Sequence, residues 1–191
     1  VGNIKAAFLP SVSKIYEKPK ARVIVLASTH TGEEEMILDN LNLKENDLLI
    51  IAPRHPERFA EVEKLASDYA KKHDFSFAKF SQTHKFEAKV NLLDTLGELV
   101  NVYAISDVVV LGGSFVPNIG GHNPIECAQF NPVIISGEFI FNQKALFGLV
   151  ENIYIAKASE ISGIIDSDTK KSKIAVQASA DAIIEDIRST L

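Results

Sequence analysis

The sequence predicts an α/β fold, a parallel sheet with helices on both faces. Three observations predict it. Apolar, β-branched runs recur seven times along the chain, segments of helical spacing separate them, and the runs are apolar throughout, as strands buried on both faces are. At 191 residues the chain fits a single domain of ordinary size, able to bury a substantial core.

In chain order, the expected strands are 22–28, 48–53, 75–80, 90–93, 107–113, 132–137 and 152–157. Helical spacing covers 32–43, 56–73, 95–105, 124–130 and 143–150, and 172–191 reads as a long terminal amphipathic helix. Pro56 suits the first turn of its helix, where a missing N–H is no loss. The likeliest irregular stretches are the ends and the polar segment 165–173.

Composition removes several function classes. Twenty basic against twenty-five acidic residues give a net charge of −5 with no strongly basic block, so nucleic acid is not an expected partner. Lys71-Lys72 and Lys170-Lys171 read as solvated helix ends. The single cysteine, Cys127, rules out an internal disulfide and any multi-cysteine metal site; it reads as a small buried hydrophobe. The most hydrophobic stretch, 102–111, is interrupted by Ser106 and Asp107 and falls short of the roughly eighteen apolar residues a membrane span needs. The first residues resemble neither a signal peptide nor an initiator sequence, so the chain reads as a piece of something longer.

Open parallel sheets bind ligands beyond the carboxyl ends of their strands, where helix N-termini also point. Four post-strand loops therefore matter. After the first strand, Ser28, Thr29 and His30 precede Gly32 and three glutamates: hydroxyl caps and dipole-complementing acids on one reading, a phosphate-holding turn on the other. After the second, Pro53, Arg54 and His55 lie in the turn facing the crevice, where a guanidinium offers several donors to a base or phosphate; Glu57 and Arg58 fit the helix surface. After the fourth, Thr95 and Glu98 have capping-box spacing, but Gly97 in a first helical turn weakens a helix by up to about 1 kcal/mol relative to alanine, which a ligand lying against the backbone would explain.

The loop after the fifth strand, GGSFVPNIGGHNPIE (112–126), holds four of the ten glycines within ten positions. Gly112, Gly113 and Ser114 let the chain turn at the strand end, Gly120 and Gly121 do so again beside His122, and Asn123, Pro124, Ile125 and Glu126 read as N-cap through N3. Glu126 either reaches back to its own cap or accepts both hydroxyls of a ribose; the space cleared by the twin glycines favours the second. No G-x-G, Gly-Lys, G-x-S-x-G or H-E-x-x-H occurs, which removes the dinucleotide fingerprint, the P-loop, the serine-hydrolase elbow and the zinc-protease helix. The five histidines form no evident metal cluster.

In order along the chain, ASTHTGEEE (27–35), PRHPERF (53–59), DTLGEL (94–99) and GGS followed by GGHNPIE (112–126) closely resemble the carboxyl-terminal domain of bacterial Kdo transferases, the 3-deoxy-D-manno-octulosonic acid transferases of lipopolysaccharide synthesis. The resemblance covers essentially the whole chain, with 1–20 as interdomain segment and first helix and 172–191 as terminal helix. It implies a Rossmann-like three-layer parallel sheet forming the carboxyl-terminal half of a two-domain GT-B glycosyltransferase. This half would bind the donor CMP-Kdo; the amino-terminal half, absent here, would hold the lipid A precursor and a carboxylate general base, so the piece alone would be inactive.

On matching positions, Pro53 and Arg54 would contact CMP, Leu96, Gly97 and Glu98 would line its site, and Asn123, Pro124, Ile125 and Glu126 would hold the ribose and phosphate region. Ser28, Thr29, His30, His55, Gly113, Ser114, Gly121 and His122 are further candidates for donor contact. The scheme needs no metal or other cofactor. It places the whole enzyme at the cytoplasmic face of the inner membrane, with only the full-length protein associating with lipid and this piece soluble. Two departures stand out. Leu96 replaces a usual Met, a change that conserves volume, and Phe80-Ser81 replaces an Arg-Ser pair, with Lys79 or Lys85 as possible substitutes that lack the planar fork. Alternatives are another GT-B transferase, a UDP-sugar epimerase domain, or a noncatalytic nucleotide-sensing domain.

Overall fold

The computed structural model of the chain describes residues 9–175. Seven strands form one parallel sheet: β1 (Arg22–Thr29), β2 (Asp47–Pro53), β3 (Phe77–Lys79), β4 (Val90–Leu92), β5 (Val108–Leu111), β6 (Val133–Ser136) and, after a two-residue strand β7 (Val150–Glu151), β8 (Ile153–Ile155). The spatial order is β3-β4-β2-β1-β5-β6-β8. From β1 the chain moves outward through β2 to the edge strand β3, with β4 then filling the place between β2 and β3, and from β5 it moves outward the other way through β6 and β8, so the sheet reverses its winding between β1 and β5. That reversal opens a crevice at their carboxyl ends.

The strand residues divide strictly by face. Ile24, Leu26, Leu49, Ile51, Val110 and Ile135 pack on one side with α1 (Glu33–Leu38), α2 (Phe59–Lys72) and α7 (Ile161–Ile165). Val23, Val25, Ile50, Val109, Leu111 and Ile134 pack on the other with α4 (Leu99–Tyr103), α5 (Ile125–Ala128) and α6 (Lys144–Phe147). Three layers result, and the continuous apolar character of the runs has its cause in this double burial. Each of these strand residues is at most 1 % exposed.

Helices are shorter than their spacing predicts. The stretch 32–43 is helical only over α1, and 95–98 forms a turn ahead of α4 because Gly97 adopts φ 79, outside helical conformation. A four-residue helix α3 (Phe80–Thr83) follows β3, and Phe80 lies in an aromatic cluster with Tyr16 and Phe86. The expected first helix is not found over residues 9–20, which run as an extended strap; residues 1–8 lie outside the described residues. The terminal helix expected over 172–191 begins instead as β9 (Lys173–Ile174), antiparallel to β7, and 176–191 also lie outside the described residues. Among the described residues no helix is long and apolar enough to cross a membrane.

The strap is fixed by a buried polar cluster. Asn101, 1 % exposed, accepts hydrogen bonds from the backbone N–H groups of Ser13 (2.9 Å) and Lys14 (3.1 Å) through Oδ1 and donates to Glu98 Oε2 (2.8 Å). Lys14 Nζ and Tyr16 Oη also donate to the Glu98 carboxylate.

Candidate functional site

The crevice begins with an irregularity in β1. Between Ala27 and Thr29 the register with β2 shifts, and Ser28 takes φ 53, a left-handed conformation rare for a residue with a side chain. The bulge turns Ser28 into a hollow of about 90 Å³ that it shares with Pro53, Arg54, Thr95, Leu96 and Gly97. Loops after β1, β2 and β4 thus converge here. Arg54 is anchored by its backbone N–H, which donates to Thr29 O (3.0 Å), while its side chain is exposed and makes no salt bridge among the described residues. Larger hollows, of about 630 Å³ beside the strap and about 330 Å³ between Met36, Phe115 and Lys157, lie elsewhere; of the residues singled out from the sequence only Lys85 lines one, the hollow beside the strap.

A second cluster adjoins the first. His30 and His122 stack with ring centroids 5.0 Å apart and Nε2 atoms 2.8 Å apart, and His55 sets its edge 5.2 Å from His30. Burial lowers the His122 pKa to about 4, assisted by His30, Arg54 and His55. Burial likewise lowers that of His30, with His55, Arg58 and Arg54 adding to the effect and Glu34 opposing it. The His122 ring lies over Gly113, at φ 68, where a Cβ would come within 2.8 Å of it. That contact, as much as the turn, requires glycine there.

At the end of the same loop Asn123 Oδ1 accepts from the Ile125 N–H (3.0 Å), but the first intrahelical bond runs to Pro124 O, so the cap of α5 falls on Pro124, one residue later than the sequence reading placed it. Glu126 accepts from Asn123 Nδ2 (3.2 Å) rather than from the backbone of its cap. Beneath both clusters lies Tyr103, fully buried; burial raises its hydroxyl pKa, with Cys127 and Glu126 adding to the rise and Ser28 and Arg54 opposing it. The groups acting on this one hydroxyl come from the end of β1, the turn after β2 and α5. Tyr103 escaped the sequence reading because an aromatic at the end of an apolar helix looks like core.

Some predicted residues face elsewhere. Glu98, 4 % exposed, turns its carboxylate to the strap; against the burial that would raise it, hydrogen bonds from Lys14, Tyr16 and Asn101 hold its pKa below the usual range. Thr29 is wholly buried, its hydroxyl without a partner. Ile125 belongs to the core, and Pro124 and Gly121 are buried.

Gly113 and Ser114 are corrected for a specific reason: their backbone N–H groups are already taken. Glu33, wholly buried, receives N–H donors from His30 (2.9 Å), Gly113 (2.7 Å), Ser114 (3.0 Å) and Phe115 (2.9 Å). A carboxylate of the protein fills the anion-binding turn that the sequence offered to a ligand phosphate. The neighbouring Glu34 is buried too, in a bidentate pair with Arg58 (2.7 and 2.9 Å), so Arg58 is not the surface residue expected. Of the two lysines considered as substitutes for the family arginine, Lys79 pairs with Glu63 (3.0 Å) and Lys85 with Glu87 (3.3 Å). No group of three or more His, Cys, Asp and Glu side chains among the described residues is arranged to hold a metal ion.

An open parallel sheet, with an arginine, paired imidazoles and a helix start gathered where its winding reverses, defines an α/β domain of the kind that forms one half of a GT-B glycosyltransferase. No family model matches the chain. It is similar to a crystal structure of the C-terminal CMP-Kdo binding domain of WaaA from Acinetobacter baumannii, at 30 % identity and a TM-score of 0.65, over 76 % of this chain and 78 % of that one. The chain belongs to the Kdo transferase family. It is 35 % identical to the 3-deoxy-D-manno-octulosonic acid transferase of Haemophilus influenzae, over 87 % of this chain and 35 % of that protein. A bifunctional glycosyltransferase/methyltransferase of Fusobacterium nucleatum is also 35 % identical, over 74 % of this chain and 23 % of its own length. The chain thus spans about a third or less of the curated relatives it matches.

Proposed function

We propose that this domain binds CMP-Kdo and forms the donor half of an enzyme that transfers Kdo to a lipid A precursor. The observation that carries the reading is the hollow in which Ser28, Pro53, Arg54 and the Leu96-Gly97 turn meet, at the same end of the sheet as the His30–His122 pair. The nucleoside lies against the backbone at Gly97, Glu126 accepts the ribose hydroxyls through its carboxylate, and Arg54 with the helix start stabilises the phosphate of departing CMP. A carboxylate in the other half of the enzyme removes the acceptor proton in an inverting displacement. Positive charge from Arg54 serves the leaving group, so the scheme calls for no metal ion. Because the acceptor is a membrane lipid, the full enzyme works at the cytoplasmic face of the inner membrane.

Calorimetric titration of the chain with CMP and with UDP tests the donor assignment. CMP should bind and UDP should not; tight UDP binding without CMP binding would favour a UDP-sugar transferase or epimerase instead. Glu126→Ala should weaken CMP binding by about 1–3 kcal/mol if its ribose hydrogen bonds are buried, and unchanged affinity would return Glu126 to a purely local role.

A further inference from the structure

The closest pair of titratable nitrogens at the crevice is His30 Nε2 and His122 Nε2, 2.8 Å apart. Two imidazole nitrogens at that separation need one N–H between them, so one ring donates from Nε2 and the other accepts there. With both rings neutral, the accepting ring carries its proton on Nδ1, and the donating ring has a bare Nδ1. The pair therefore has one open proton site, and filling it leaves the inter-ring bond intact. Adding a second proton between the rings would set N–H against N–H.

The surroundings keep that site empty in the free domain. His30 faces His55 from the β2 loop, Arg54 beside it, and Arg58; His122 faces His30, Arg54 and His55. Glu34 and Arg58 form a bidentate pair, so their opposed effects on His30 offset each other and Arg54 and His55 are left acting on the rings, while the Glu33 carboxylate is held by four backbone N–H groups. Partial burial of the two rings is the larger cause of the same preference for neutrality. An anion placed among these groups reverses the balance.

We propose that His30 and His122 act as a proton-accepting pair for the donor's phosphate: binding of a nucleoside phosphate beside Arg54 draws one proton from solvent onto the bare Nδ1, and the pair becomes a single imidazolium sharing one hydrogen bond. Rings and phosphate then meet as a charge-assisted contact without any metal. The proposal rests on the reading of the domain as a CMP-Kdo binder. Linkage sets its sign: since the complex holds more protons than its parts, affinity falls as pH rises above neutrality.

The test is calorimetry with CMP at about pH 7 in buffers of different ionisation enthalpy, which yields the protons taken up per CMP bound. The same titration with a double variant, His30→Gln with His122→Gln, removes the acceptor on whichever ring it lies while leaving any proton change on CMP itself. Wild type should exceed the variant by at least roughly 0.3 proton per CMP, and the ring ¹⁵N shifts of His30 or His122 in the folded wild type should move to imidazolium values on CMP addition. Equal uptake in the two proteins, or neutral ring shifts in the CMP complex, would overturn the pair's role while leaving CMP binding intact. Absence of CMP binding to wild type would sink this proposal and the functional reading together. If the double variant fails to fold, the wild-type ring shifts decide the matter alone.

Discussion

Glu33 shows how one side chain can decide what a loop is able to bind. Its carboxylate receives four backbone N–H donors from the ends of β1 and β5, locking the two loops that flank the winding reversal. Glu33→Gln keeps the shape but sets an amide NH₂ against donors, so it should destabilise the fold by about 3–5 kcal/mol, in line with breaking a buried charged network. Urea unfolding followed by circular dichroism measures this, and a loss under about 1 kcal/mol would mean the loop has other means of support. Nothing in the local pattern distinguished Glu33 and Glu34 from Glu35: three consecutive glutamates after a glycine look alike as dipole-complementing acids. Their separate fates depend on partners more than twenty residues away. Arg54 was legible for the opposite reason, since a post-strand turn places it without long-range help.

At the scale of elements, the strands were legible and the helices only roughly so. Runs such as Val23–Leu26 declare themselves because both faces of each are buried, which leaves the sequence no polar alternation to show. Helix lengths were overread because spacing continues past the point where backbone geometry breaks, as at Gly97. The helix expected within 1–20 is not found over residues 9–20: that strap is held by Asn101 and Glu98, some eighty residues further on, which occupy its backbone N–H groups and side chains. Asn101→Ala should leave two of those strap N–H groups without acceptors, lowering stability by about 1–3 kcal/mol. Limited proteolysis should then cut first within residues 9–20, and a cleavage pattern identical to wild type would show the strap is held by other contacts. Glu98 was read as a capping or ligand-facing acid because both roles share its spacing; the structure gives its carboxylate to the strap.

For the whole molecule, the fold explains why distant motifs make one site. A sheet whose strands all run the same way delivers the loops after β1, β2, β4 and β5 to the same edge. The reading proposed here makes that edge one wall of an active site whose other wall belongs to a separate domain. Isolated, the chain should therefore bind CMP yet transfer no Kdo, and transfer should appear when it is joined to the amino-terminal half of a relative. A radiolabelled-Kdo assay on both forms checks this; activity from the chain alone would mean that acceptor and base are also present here.

The left-handed Ser28 has a further consequence. A strained residue at a strand terminus is a spring: it survives only while the layers around it insist on it. Evolutionary or laboratory exchange of the rim loops can thus retune which sugar nucleotide is accepted with little disturbance of the layers below, whereas relaxing that single kink would redirect every group the rim presents.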